Sequence, residues 1–181
     1  MLELKTDSVE LWDERIEEFV YIEGQTLLLE HSLISVSKWE SKWRKPFLST
    51  REEKTKEEMI DYIKCMTVSK NVNNNVYAYL TAKDINRVKE YIDDPMSAST
   101  VREEKTGEIS RKQITSELIY CWMIRFNIPS EYRKWHLNRL LMLIKICNAE
   151  NKPPKKRSQR DLYRHHAAVN AANRKRYNSK G

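Results

Sequence analysis

Leu33-Ile34-Ser35-Val36-Ser37-Lys38-Trp39-Glu40-Ser41-Lys42-Trp43-Arg44-Lys45-Pro46-Phe47 holds two of the chain's five tryptophans, four residues apart. As a helix it places Val36, Trp39, Trp43 and Phe47 on one face and turns Lys38, Ser41, Lys42 and Arg44 elsewhere. Pro46 ends such a helix, because its ring clashes with the preceding turn. So short a helix must bury its aromatic area somewhere. Either Trp39, Trp43 and Phe47 anchor the core, or they face a partner protein.

Residues 1–31 alternate as strands do. Leu2 and Leu4, then Val9 and Leu11, sit between polar neighbours. Phe19-Val20-Tyr21-Ile22 and Thr26-Leu27-Leu28-Leu29 predict a hairpin across Glu23-Gly24-Gln25, with Gly24 supplying the positive φ of a tight turn. The acidic run Asp13, Glu14, Glu17 and Glu18 precedes it. No histidine or third ligand accompanies those carboxylates, so they predict a solvated face rather than a hard-metal site.

Downstream of the tryptophans the pattern is helical. Thr55 and Glu58 have the spacing of a capping box, and Met59, Tyr62, Ile63 and Met66 follow on one side. Residues 69–75, with four Asn, predict a loop. A helix from about Thr81 buries Ile85, Val88 and Ile92 and stops at Asp93-Asp94-Pro95. Residues 97–114 suggest a polar hairpin around Lys105-Thr106-Gly107, with too little apolar area to stand alone. Thr115 or Ser116 then caps a helix bearing Ile119, Trp122, Met123 and Phe126. Pro129 opens a last long helix carrying Tyr132, Trp135, Leu137, Leu140, Leu141, Leu143, Ile144, Ile146 and Cys147. Only Lys145 is charged between Leu140 and Cys147, so this helix is expected at the centre of an antiparallel pair, with the tryptophan helix laid over it.

Charge divides the chain. Of 33 Lys and Arg and 26 Asp and Glu, residues 152–181 hold ten of the bases and one acid, Asp161. The body is close to neutral, and the basic character belongs to the tail. Pro153 and Pro154 stop the helix before it. Residues 161–177 can form a helix, but one of that length is marginal in isolation. Lys155, Lys156, Arg157, Arg160, Arg164, Arg174, Lys175 and Arg176 are the candidate contacts to nucleic acid or to an acidic partner, with Tyr163 and Tyr177 among them to stack on bases.

Three glycines, none clustered, make no phosphate-binding loop. Adjacent His165 and His166 point to different faces, and no Cys/His set has zinc spacing. His136 stands alone and predicts a hydrogen-bonded structural histidine. Cys65, Cys121 and Cys147 lie among apolar residues, which predicts three buried free thiols in a reducing compartment. No apolar run reaches membrane-spanning length, and the N-terminus lacks a secretory pattern. The expectation is an intracellular non-enzyme with no cofactor and no metal.

Glu30-His31-Ser32 leading into residues 33–47 resembles a group of proteins encoded by long-tailed, siphovirus-type bacteriophages. Tyr62-Ile63-Lys64-Cys65-Met66-Thr67, Lys134-Trp135-His136-Leu137-Asn138-Arg139-Leu140-Leu141 and the ending Pro153-Pro154-Lys155-Lys156 agree with it. The resemblance spans most of residues 30–181. It implies a tail assembly chaperone in the host cytoplasm, with a tape-measure protein as partner. A nucleic-acid-binding accessory protein and a structural virion component are the alternatives.

The expected fold is α+β, mainly α. Residues 1–31 form a small β-hairpin or sheet, and residues 32–151 a helical bundle with one inserted β-hairpin at about 98–113. Residues 152–181 form a basic tail, flexible or helical.

Overall fold

The computed structural model describes residues 1–13, 17–48, 54–100, 113–151 and 159–178. They form a mixed α+β fold, mainly helical, with paired strands at the N-terminus followed by a bundle. The expected hairpin at about 98–113 falls largely on residues 101–112, outside those described. Two compact units divide the chain, Met1–Asn148 and Ala149–Gly181.

β1 (Leu2–Lys5) pairs antiparallel with β4 (Thr26–Leu29), and β2 (Val9–Asp13) with β3 (Glu18–Ile22). Leu2 faces Leu29, Lys5 faces Thr26 and Val9 faces Ile22, so one register runs through both pairs. They make a single ribbon, paired out to Asp13 and Glu18, whose middle is interrupted at residues 6–8 and 23–25. The hairpin expected between residues 19–22 and 26–29 is therefore corrected: these strands follow one another along one side of the ribbon. Side chains bridge the interruption. Gln25 N donates to Thr6 Oγ1 at 2.9 Å, and Gly24 N to Ser8 Oγ at 3.1 Å. Gly24 has no positive φ. It is glycine because a Cβ there would come within 2.3 Å of the Thr6 carbonyl oxygen. One face of the ribbon buries Leu4, Ile22, Leu27 and Leu29. Towards the tip, Trp12 and Phe19 stack edge to face on the exposed side, ring centroids 5.1 Å apart.

α1 (Leu33–Trp43) starts at Ser32, whose hydroxyl accepts from Ser35 N while Ser35 Oγ accepts from Ser32 N at 2.9 Å. It stops at Arg44, in the left-handed region at φ 55°, so the chain leaves the helix two residues before Pro46. Trp39 and Phe47 are 2% and 4% exposed, while Trp43 is half-buried. α2 (Lys56–Met66) carries the expected reciprocal cap of Thr55 and Glu58 and buries Tyr62, Ile63 and Met66. A 3₁₀ turn, Asn74–Tyr79, leads to α3 (Ala82–Asp93), capped by Thr81 and burying Val88 and Tyr91.

α4 (Ser116–Arg125) is capped by Thr115 and buries Ile119 and Met123. The long helix expected after Pro129 is shorter. Residues Ser130–Lys134 form a 3₁₀ turn, in which Tyr132 stacks on Trp135 at 3.9 Å. α5 (Leu137–Glu150) begins where Leu137 N donates to the His31 carbonyl at 2.7 Å, a bond that an earlier start would redirect into the helix. α5 buries Leu137, Leu140 and Ile144 but leaves Leu141, Met142, Leu143, Ile146 and Cys147 half-buried. The central element is instead α1, which contacts α2, α4 and the Ser130–Lys134 turn. An all-round apolar sequence marked α5 for the centre, but neighbours cover only part of it.

Cys65 and Cys147 are half-buried and Cys121 is exposed, so none of the three thiols is buried as expected. In the second unit, α6 (Gln159–Tyr177) is exposed along its length. Among the described residues no helix is long and apolar enough to cross a membrane.

Candidate partner-binding site

Two networks hold α1 against its neighbours. Buried Glu40 accepts from Phe47 N at 2.7 Å and from Ser116 N at 2.8 Å, so one carboxylate closes the turn after α1 and caps the start of α4. Trp39 Nε1 donates to the Glu58 carbonyl and Trp43 Nε1 to Asp61 Oδ2, both at 2.9 Å. Lys42 pairs with Asp61, and Lys45 with Glu58 at 3.0 Å. Burial opposes the charge on Asp61, but hydrogen bonds from Lys42 and Trp43 outweigh it and hold the carboxyl below its ordinary range. Of the three aromatics read either as core anchors or as a partner surface, Trp39 and Phe47 lie in the core, and Trp43 is half-buried and bonded to Asp61 of α2.

A buried junction joins the ribbon to the helices. His31, 1% exposed, shares a hydrogen bond between Nδ1 and Tyr62 Oη, and its ring lies 5.0 Å from that of His136. His136 Nε2 donates to the Tyr91 carbonyl at 3.0 Å, which leaves buried Nδ1 with no hydrogen-bond partner among the described residues. Burial first, then His136 and Lys54, pull the His31 pKa down to about 3. Burial also lowers that of His136, against the raising effect of its Tyr91 bond. Both rings are held neutral, and they tie residues 31–32 to α2, to the end of α3 and to the start of α5. His136 is the hydrogen-bonded histidine expected, but it is not alone. His31 carries no periodic signal, and the ring it faces, that of His136, is over a hundred residues away in the chain. No group of three metal-ligating side chains is found among the described residues.

The surface with the geometry of a binding site lies between α4 and α5. Trp122 and Phe126 form one wall, Leu141 and Ile144 the other, and Ile114 one end of a groove of about 360 Å³. Arg125, Lys145 and Asn148 complete the lining, which contains no carboxylate. This volume falls within the range of built ligand pockets, and its polar groups are few and at the edge. The chain matches no protein family, no curated protein and no solved structure.

A larger cleft of about 570 Å³ is lined by Glu30, Ser32, Ser35, Lys38, Thr67 and Lys134 among others. It is more polar and lies beside the junction. Of the tail cations, Lys155, Lys156 and Arg157 lie outside the described residues. Arg160, Arg164, Arg174, Lys175 and Arg176 are brought together on exposed α6. Sequence patterning marked the groove's walls as apolar, since Trp122, Phe126, Leu141 and Ile144 are in the expected stripes. It assigned them all to the core, because periodicity says which side chains are apolar and not which neighbours are present to cover them.

Proposed function

We propose that this chain is a non-enzymatic, phage-encoded tail assembly chaperone of the host cytoplasm, which holds a helical segment of a tape-measure type protein during tail morphogenesis. The observation that carries the reading is the apolar groove between α4 and α5. An amphipathic helix lays side chains three and four residues apart into such a groove. Arg125 at its edge favours a client with carboxylates beside its apolar stripe. The phage origin and the tape-measure client rest on the resemblance over residues 30–181.

Co-expression of the full chain with the tape-measure protein of the same phage, followed by pull-down, tests the proposal. Association is expected at low salt. The double variant Trp122→Glu, Leu141→Glu should weaken it at least tenfold while circular dichroism stays unchanged. No association at low salt overturns the proposal, and so does full binding by a folded double variant.

A further inference from the structure

α6 sorts its exposed side chains into stripes. Tyr163, His166, Asn170, Asn173 and Tyr177 follow one another at steps of three and four, which keeps them on one face. Along one flank run Arg160, Arg164, Arg174 and Lys175, with Ala167 and Ala171 between the two pairs. The opposite flank holds Leu162, Val169 and Arg176. One stripe carries amides, an imidazole and phenols, all able to donate or accept hydrogen bonds. The other carries only cations and methyl groups.

We propose that α6 is a reading helix for double-stranded nucleic acid, lying in the major groove with the stripe centred on Asn170 toward the base edges and the cationic stripe on backbone phosphates. The proposal stands whether or not the groove between α4 and α5 takes a client.

Four features favour this occupant. Five cations against one acid, Asp161, make α6 a partner for a polyanion. An asparagine amide presents a donor and an acceptor side by side, the pattern that pairs with the adenine edge, and Asn170 and Asn173 are adjacent on the face. The alanines leave the helix slim along its middle, and an α-helix of about 10–12 Å fits a major groove about 12 Å wide. At 19 residues α6 is roughly 28 Å long, nearly one turn of duplex, so its two cation pairs reach different phosphates.

The alternatives fit less well. A single strand is bound by rings close enough to stack successive bases, whereas Tyr163 and Tyr177 stand at opposite ends, about 21 Å apart along the axis. An acidic protein helix needs an apolar seam beside its ion pairs, and the cationic stripe of α6 offers only alanine there.

Fluorescence anisotropy with the full chain tests the proposal, using a labelled random-sequence duplex, the matching single strand and polyglutamate as probes over a salt series. Duplex binding should be tightest and strongly salt-dependent. Replacing Arg160, Arg164, Arg174 and Lys175 by Gln should flatten the log–log salt slope by about 3 to 4, close to 0.9 per lost phosphate contact. Asn170→Ala and Asn173→Ala should leave that slope alone. On the duplex selected from a random pool, each should cost about five- to hundredfold in affinity. Equal binding to single strand, equal competition by polyglutamate, or a selected sequence insensitive to both Asn variants overturns the proposal.

Discussion

Two helices carry tryptophan to opposite fates. In α1 the Trp39 indole is buried and its N–H donates to the Glu58 carbonyl, with Phe47 edge-on 5.2 Å away and Trp43 stacked at 6.1 Å. In α4 the Trp122 ring is half-buried and forms a wall of an open groove. Both helices are short, and both place tryptophan on an apolar stripe. The difference lies in what surrounds them: α2, α4 and the Ser130–Lys134 turn meet α1 on several sides. An indole becomes core when the fold supplies both an acceptor for its N–H and neighbours around its ring. With part of that enclosure missing among the described residues, the same residue type is left half-exposed and open to a partner.

Alanine at each position separates the two roles most sharply. Trp39→Ala should cost about 3–5 kcal/mol, because it leaves a large cavity and an unused Glu58 carbonyl. That is a large part of the stability of a domain of this kind, and urea denaturation should show a much lower midpoint or no cooperative transition. Trp122→Ala should cost about 1 kcal/mol or less in the same titration, since its ring is only half-buried. Its larger effect should be on client binding. Equal losses from the two variants would mean that the two indoles are enclosed alike.

Local chemistry was legible in the sequence, and long-range chemistry was not. Thr55, Thr81 and Thr115 announce helix starts because each bonds a backbone N–H only three residues on. Glu40 gives no such sign: its partners, Phe47 N and Ser116 N, come together only in the fold. Asn138 is equally silent, yet its amide donates to the carbonyls of Ile92 and Asp94, both at 2.8 Å, and so satisfies the end of α3. Gly24 was conspicuous for its residue type but mistaken in role, because the close approach of Thr6 depends on a strand pairing that turn chemistry alone does not specify. The stripes of α6 were present as composition. They became a candidate surface once the helix bounds fixed which side chains share a face.

Acid acts first on the buried junction at His31. His31 titrates near 6.5 when unfolded and at about 3 in the fold, so the unfolded chain binds the proton more readily. The stabilisation is complete above pH 6.5 and is lost as pH falls toward 3, with His136 acting in the same direction. At pH 5 the loss from His31 is about 2 kcal/mol. Glu58 and Asp61, held below their ordinary range, add their losses only at lower pH, where carboxylates protonate. Urea midpoints at pH 7 and pH 5, at fixed ionic strength, should differ in the native chain and converge substantially in His31→Phe. A variant that keeps the whole difference would place the acid sensitivity elsewhere.

The smallest effect is expected where the two fates meet, at Trp43. Its ring is half-buried, and its N–H reaches an Asp61 carboxylate that Lys42 also holds. Trp43→Phe keeps an aromatic ring against Trp39 but removes the indole donor. The lost bond is to a charged acceptor but lies at the edge, where water can replace it, so the cost should be about 1 kcal/mol. Removing the donor should also let the Asp61 pKa rise toward its ordinary value, which carbon-detected NMR titration of the carboxylate can follow. If Asp61 does not move while stability falls by as much as in Trp39→Ala, then Trp43 belongs to the core in full and α1 has no edge.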